Sequence, residues 1–354
     1  MEHVRDLLRQ LAAFDPGDTL VLSVYLDLRP HGGSPAIRPS LMVLKDRFRA
    51  IEKPLLPRGA ALDNFRSDAN GVQRFLDEHA GSWLQGIAIF ACSSHQLFEV
   101  LETGVPFENQ VVLESAPDLF QLARLVDEQE TVVVALVDTN TTRLFVTRRG
   151  FLEEVSGLDD DSFGYRQRNT GGLNHKRYQR HVENQREVFA RDAAATLEEL
   201  VTREGATRVI LAGDAVAIPL LHRFLSPQLE PLIHEEILRL DIRTPRHDVL
   251  GEIAPILEQE EKEASHAQAD RLVEAVRQQG LGVIGQQETR DALEHGQGEV
   301  LVLAEEAPLD EQERNELVRL ATLSGAEVDL VKEHEILQQM GGVGALLRYR
   351  AAWV

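Results

Sequence analysis

The chain has 354 residues, of which 43% are hydrophobic and 27% are charged, and its formal net charge is -21. This length and composition predict a globular protein with two or three domains, each able to bury a core. The acidic balance argues against indiscriminate nucleic-acid binding, because the field of the whole molecule repels phosphate. Any RNA contact must therefore be local.

The sequence also indicates a cellular location. Cys92 is the single cysteine, which excludes an intramolecular disulfide and a cysteine-based zinc cluster and fits a reducing compartment. No run approaches the roughly 18 apolar residues of a membrane span, and the charged N-terminus lacks the apolar region of a signal peptide. We therefore expect a cytoplasmic protein with no membrane partner.

The first block, residues 1–126, is predicted to form an N-terminal α/β domain. The runs "TLVLSVYLDL" and "GIAIFACS" indicate buried strands. Helical patterns cover Pro39 to Ile51 and Asn70 to Glu78. The first of these helices carries Lys45, Arg47 and Arg49 in an otherwise acidic chain.

The second block, residues 127–262, opens with two β-rich runs that meet around Asp138 to Thr142, which predicts a hairpin. A basic helix, the strand "RVILAGD" and a helix from Ala215 follow. From Asp248 to Gln279 the pattern is that of a long amphipathic helix, which we expect to connect this block to the next.

The third block, residues 263–354, alternates strands and helices, with "EVLVLA" and "AEVDLV" as the clearest strands. The fold class predicted for the whole chain is therefore α/β with three domains. These are an N-terminal α/β domain (1–126), a middle mixed-sheet domain with a Gly-Gly loop and basic helix (127–262), and a C-terminal α/β sandwich (263–354).

Several apparent cofactor and metal motifs fail on context. "GLGVIG" at Gly280 satisfies a dinucleotide fingerprint, but its glycines follow a helix and enclose a strand instead of opening a helix after one. The segments that begin at His234 and His334 start like a zinc motif, yet Leu238 and Gln338 stand where the second ligand belongs. We therefore expect no cofactor and no metal.

One segment reverses the global charge balance. "RNTGGLNHKRYQRHVENQ" begins at Arg168, and from Arg166 to Arg191 the chain has seven Lys or Arg residues against two acidic ones, Glu183 and Glu187. Paired glycines allow close backbone approach to another molecule, and the helix that follows places its basic residues on one face. Two interpretations remain open from these residues alone: RNA contact, or pairing with acidic surface elsewhere in the chain.

The segment "NTGGLNHKRYQRHVENQREVFARDAA" resembles the signature of the archaeo-eukaryotic class-1 peptide release factors and their bacterial relatives. In that family a Gly-Gly-Gln loop leads into a basic helix with an Arg-aromatic-x-Arg element, which Arg177 to Arg180 match. The third block resembles the family's C-terminal domain, whereas the first matches by position only. The bacterial branch includes presumed peptidyl-tRNA hydrolases and Pelota-like hibernation factors of the Balon type.

The resemblance implies three domains that reach the ribosomal decoding centre, the peptidyl-transferase centre and a translational GTPase, such as elongation factor Tu. It implies rRNA contacts in the middle domain. The basic helix of the first block, with Lys45, Arg47 and Arg49, is either a decoding-centre anchor or a solvated helix face. The middle-domain candidates are Gly171, Gly172, Asn174, His175, Lys176, Arg177, Arg180 and His181.

The chain departs from the family at the position that carries catalysis. In the release factors Gln follows the glycines and helps place the water that attacks the peptidyl-tRNA ester; here that position is Leu173. Some bacterial relatives carry the Gln two residues later, where this chain has His175. We therefore expect a factor that occupies the A site of idle or stressed ribosomes without peptide release and has no catalytic residue. The alternative is a peptidyl-tRNA hydrolase in which Asn174 or His175 orients the water.

Overall fold

The computed structural model describes residues 2–29, 39–55, 59–79, 85–127, 131–148, 151–159 and 175–350. Within these residues three four-stranded sheets form, one in each predicted block. This confirms the predicted α/β class. The chain divides into two compact units, one of residues 1–128 with 259–354 and the other of residues 129–258. The three predicted domain boundaries stay a prediction.

The first block forms an antiparallel sheet in the order β3-β2-β1-β4, with helices on both faces. Leu22 and Val24 of its central strand face two helices, whereas Val21 and Tyr25 face the other two. The elements are α1 (Glu2–Ala12), β1 (Val21–Asp27), α2 (Pro39–Leu55), α3 (Gly59–Glu78), β2 (Gly86–Cys92), β3 (Leu97–Thr103), β4 (Gln110–Glu114) and α4 (Phe120–Asp127). Helix α3 begins well before the predicted Asn70.

The middle unit has a mixed sheet in the order β7-β6-β5-β8, in which β8 runs parallel to β5. The predicted hairpin is confirmed, because β5 pairs antiparallel with β6. In the turn between them, Asp138 Oδ1 accepts hydrogen bonds from the backbone N–H groups of Asn140 and Thr141 at 2.8 and 2.7 Å. The elements are β5 (Val132–Val137), β6 (Thr141–Arg148), β7 (Phe151–Asp159), α5 (His175–Glu204), β8 (Arg208–Gly213), α6 (Ala217–His222) and the start of α7 (Arg246–Arg277).

The last block is an α/β sandwich with strand order β11-β10-β12-β9. Val300 and Val302 of the central strand pack on the end of α7, whereas Leu301 and Leu303 face α8 and α9. Its elements after α7 are β9 (Gly282–Ile284), α8 (Gln286–Glu294), β10 (Gly298–Ala304), α9 (Glu311–Ser324), β11 (Glu327–Val331), α10 (Glu335–Gln339) and β12 (Val343–Leu347).

The first and last blocks share one hydrophobic core. Leu119 and Leu122 from α4 and the segment before it belong to the same buried cluster as Leu303 and Leu317. The side chain of Asn315 accepts a hydrogen bond from Leu119 N at 2.8 Å and donates one to Pro117 O at 2.9 Å. Because both blocks contribute to this cluster, neither block completes it alone.

The two motifs rejected on context have structural roles. Gly280 follows α7, and Gly285 precedes α8 with a φ of 115°, a conformation that side chains with a Cβ rarely adopt. His334 caps α10, since its Nδ1 accepts a hydrogen bond from Leu337 N at 3.1 Å. Among the described residues, no group of three or more His, Cys, Asp or Glu side chains is arranged to hold a metal ion.

None of the helices that the structure describes combines the length and the apolar character needed to cross a bilayer.

Candidate nucleic-acid interface on helix α5

Helix α5 carries the predicted basic segment. The helix begins at His175 and runs for 30 residues, so Lys176, Arg177, Arg180 and His181 all belong to its first two turns. On a helix, residues three and four apart share a face, which places Arg177, Arg180 and His181 on one stripe. The structure describes the backbone here but not the side chains of residues 175–183. The predicted Gly171, Gly172 and Asn174 lie outside the described residues, as does Leu173.

The other end of α5 is anchored in the core of the middle unit. Phe189, Ala193, Leu197 and Leu200 are at most 7% exposed and pack with residues of β5, β8 and α6. The helix is therefore held by its C-terminal half. A helix fixed in this way presents its remaining faces in a defined orientation.

A cluster of two arginines, one aromatic ring and one carboxylate lies beside this anchored part of α5. The guanidinium carbon of Arg191 lies 5.1 Å from the ring centroid of Phe224, and that of Arg223 lies 5.9 Å from it. Arg223 also pairs with Glu187 at 3.6 Å, with both side chains about half exposed or more (65% and 45%). We call Glu187, Arg191, Arg223 and Phe224 the arginine cluster.

The turn that carries Arg223 and Phe224 is fixed against α5. Phe224 N donates a hydrogen bond to Leu221 O at 2.9 Å, and Ser226 N donates one to the Glu198 carboxylate of α5 at 2.6 Å. Sequence reasoning counted Arg191 within the basic segment but did not single it out, and it missed Arg223 and Phe224. These two residues lie some 30 positions further along the chain, so only the packing of α6 on α5 brings them together.

The second predicted basic surface lies on α2 of the other unit. Lys45, Arg47 and Arg49 are all exposed. Arg49 pairs with Asp46 at 3.2 Å, and the two side chains are 78% and 77% exposed. A pair this exposed contributes little to stability, so Arg49 remains available to a ligand.

Comparison with protein families gives a match over part of the chain. The model of "Bacterial archaeo-eukaryotic release factor family 10" matches residues 117–258. A pelota homologue of Thermococcus gammatolerans is 27% identical over 231 residues, which are 62% of this chain and 62% of the relative. One from Pyrococcus furiosus is 26% identical over 230 residues, with the same coverage.

Residues 117–258 are therefore similar to a bacterial family of archaeo-eukaryotic release factors, and the chain is similar to archaeal pelota homologues. This similarity agrees with the release factor and Pelota resemblance seen in the sequence, whereas the Balon-like subtype stays a prediction. The chain spans about 62% of the length of the curated relatives it matches.

Solved structures of superfamily members are similar at low identity. Archaeal Pelota, as it stands in a ribosome-bound model together with ABCE1, is 17% identical, with a TM-score of 0.47 over 99% of this chain and 95% of that one. The archaeal translation termination factor aRF1 is 18% identical, with a TM-score of 0.30 over 98% of both chains.

The release factor match covers the glycine pair and the basic residues of the middle unit. Residues 117–258 include the Gly171-Gly172 pair, the whole of α5 and the arginine cluster. Within this matched range, Leu173 stands directly after the glycines. The matched range therefore combines a basic helix with an apolar residue, Leu173, where the sequence resemblance implies the Gln of the release factors.

Proposed function

We propose that the protein binds the ribosomal A site of idle or stressed ribosomes and blocks it without releasing peptide. The observation that carries the proposal is the combination just described: a basic helix that follows two glycines, with Leu173 in place of Gln. Guanidinium and ammonium groups suffice to hold rRNA phosphates. An apolar side chain, by contrast, has no group to orient an attacking water.

The similarity to pelota homologues supports a ribosomal partner. An archaeal Pelota is described as ribosome-bound, and yeast Dom34 is described as a translation termination-like factor that interacts with Hbs1. We propose by analogy that this chain acts on ribosomes in the cytoplasm and that its last block docks a translational GTPase, such as elongation factor Tu. We assign the rRNA contacts to the basic residues in the first two turns of α5 and to the two glycines that precede this helix. Lys45, Arg47 and Arg49 are assigned as decoding-centre contacts.

Co-sedimentation with purified bacterial ribosomes tests the binding. Changing Lys176, Arg177 and Arg180 together to Glu should weaken binding by at least about 100-fold, because attraction to phosphate becomes repulsion at three sites. The matched control changes the exposed Arg239, Arg243 and Arg246 of the same unit to Glu, which alters the net charge equally. Equal losses in both variants would assign the effect to net charge and remove the α5 stripe from the proposal.

The same assay distinguishes an idle ribosome from a translating one. Binding should be tighter to ribosomes without messenger RNA and A-site tRNA than to ribosomes with a filled A site, because two molecules cannot occupy one site. Equal binding to both would contradict A-site occupancy.

A second candidate function is peptidyl-tRNA hydrolysis, which is favoured by Asn174 and His175 directly after the loop. Release of labelled peptide from P-site peptidyl-tRNA separates the two. We expect background release from the wild type and a gain in Leu173→Gln or His175→Gln, since one repositioned group can change a rate by about 100-fold. Robust wild-type release that His175→Ala abolishes would instead establish the hydrolase.

A further inference from the structure

The cationic stripe of α5 extends beyond the residues that the sequence singled out. Arg191 follows Arg180 by eleven residues, which places the two within about 20° of each other around the helix and about 16 Å apart along its axis. Both positions lie on one continuous helix. The basic stripe therefore continues to a second positive charge at Arg191. The structure describes the side chains at this end of the stripe.

The arginine cluster gives that second end the properties of a phosphate site. A guanidinium that stacks on an aromatic ring loses rotational freedom while its N–H groups stay directed to solvent. Arg191 and Arg223 both approach the ring of Phe224, within 5.1 and 5.9 Å of its centroid. Because their side chains are already ordered, less conformational entropy is lost when they bind a ligand.

Glu187 limits the affinity of this end in the free protein. It lies between Arg180 and Arg191 on the same stripe, and its carboxylate pairs with Arg223 at 3.6 Å. Arg223 is 65% exposed, so a competing phosphate can reach it from solvent. An exposed pair of this kind contributes little to stability, so a phosphate can displace Glu187 from Arg223.

We propose that Arg191 and Arg223, ordered by Phe224, bind the phosphodiester backbone of RNA as a second contact point of α5, in competition with Glu187. This site would add a second RNA contact to the proposed ribosome-binding surface, and the inference rests on that proposed function. RNA that contacts the first turns of α5 would follow the stripe to the arginine cluster, so the interface includes residues from both α5 and the turn after α6.

The salt dependence of ribosome binding provides the test. Replacing Arg191 and Arg223 with Gln should weaken binding about tenfold or more and reduce the slope of log affinity against log salt by about two, one for each phosphate that is no longer neutralised. The matched control replaces Arg203 and Arg239, both exposed and in the same unit, with Gln. Arg203 lies on α5 about 120° around the helix from Arg191. This control should keep the wild-type slope.

Two further variants separate charge from ordering. Glu187→Gln should tighten binding a few-fold, because Arg223 loses its competing carboxylate. Phe224→Leu should weaken binding a few-fold and keep the salt slope, because both charges remain but lose their aromatic support. If Arg191 and Arg223 can be neutralised with no change in slope, while Lys176, Arg177 and Arg180 remain essential, the second site is wrong and the proposed function stands.

Binding to a short RNA duplex at low salt, followed by fluorescence anisotropy, keeps the two proposals distinguishable. If the wild type binds the duplex but not ribosomes, and the double neutralisation reduces duplex binding, the arginine cluster is a phosphate site and the proposed function is wrong. Absence of wild-type binding to both ribosomes and duplex would overturn both proposals.

Discussion

The two compact units place their charged groups differently. In the unit of residues 1–128 and 259–354, Asp68, Asp118 and Asp329 are buried, with exposed fractions of 3%, 4% and 9%. Among the described residues of the middle unit, no charged side chain is buried to this extent. The difference indicates that buried charge affects the stability of the first unit more than that of the described part of the middle unit.

The largest expected effect concerns the core that the first and last blocks share. Leu317→Ala should destabilise the protein by about 2–5 kcal/mol, because it leaves a cavity at a fully buried position. Hydrogen exchange followed by mass spectrometry should show that both blocks lose protection together. In Leu197→Ala, the matched change in the middle core, the loss should be confined to residues 129–258. Loss in only one of the two blocks of the Leu317 variant would contradict a shared core.

The next effect concerns pH and the two most perturbed carboxyl groups. Burial raises the pKa of Asp118 to about 6, and the charges of Glu114 and Glu311 add to this effect, whereas a hydrogen bond from Phe120 N opposes it. Burial likewise raises the pKa of Asp329 to about 7, with further contributions from Glu261 and Glu327. Both groups therefore hold their protons more tightly in the folded state than in the unfolded state.

The sign of the pH dependence follows from this difference. The stability contributed by each raised pKa is fully present below about pH 4 and is lost as pH rises to about 6 for Asp118 and about 7 for Asp329. For Asp118 alone the loss is about 3 kcal/mol. Urea unfolding from pH 4 to pH 8 should show that the Asp118→Asn and Asp329→Asn double variant loses less stability than the wild type. An identical pH profile would contradict the raised pKa values.

The smallest effect concerns α2, the basic surface of the unit that buries its aspartates. Replacing Lys45, Arg47 and Arg49 with Gln should change the free energy of unfolding by less than about 0.5 kcal/mol, because all three are exposed. If they contact decoding-centre RNA, the salt slope of ribosome binding should fall by up to about three. Chemical probing of decoding-site nucleotides checks the contact directly. Unchanged protection in the variant would leave α2 as a solvated helix face.

The sequence predicted the elements whose apolar pattern is continuous. Strands β1, β2, β5 and β8 are almost entirely buried, and each was visible as an apolar run, which in β1 only Ser23 interrupts. Strand β3 was missed because polar side chains interrupt its apolar run. Strand β4 was missed because its apolar run is only three residues long and all of its residues are partly exposed. The start of α3 was missed although three of its five buried residues, Leu62, Phe65 and Asp68, lie before Asn70.

The candidate site was predictable only where its residues are local in sequence. The basic turns of α5 follow from helical spacing, as does the common face of Arg177 and Arg180. The arginine cluster depends on α6 returning to α5, and the shared core depends on α9 packing against residues near α4. Single-sequence periodicity carries no signal for contacts over such separations.

The hydrogen bond between Asn315 and Leu119 has a consequence for synthesis. It joins residues 196 positions apart, so the apolar cluster around Leu119 lacks the residues of the last block when the first block leaves the ribosome. At about 5–20 residues per second, the ribosome needs about 10–40 seconds to add the missing helix α9. During that interval the nascent first block exposes the surface that α9 later covers. Production of this protein should therefore depend on translation speed and on chaperones that bind nascent chains.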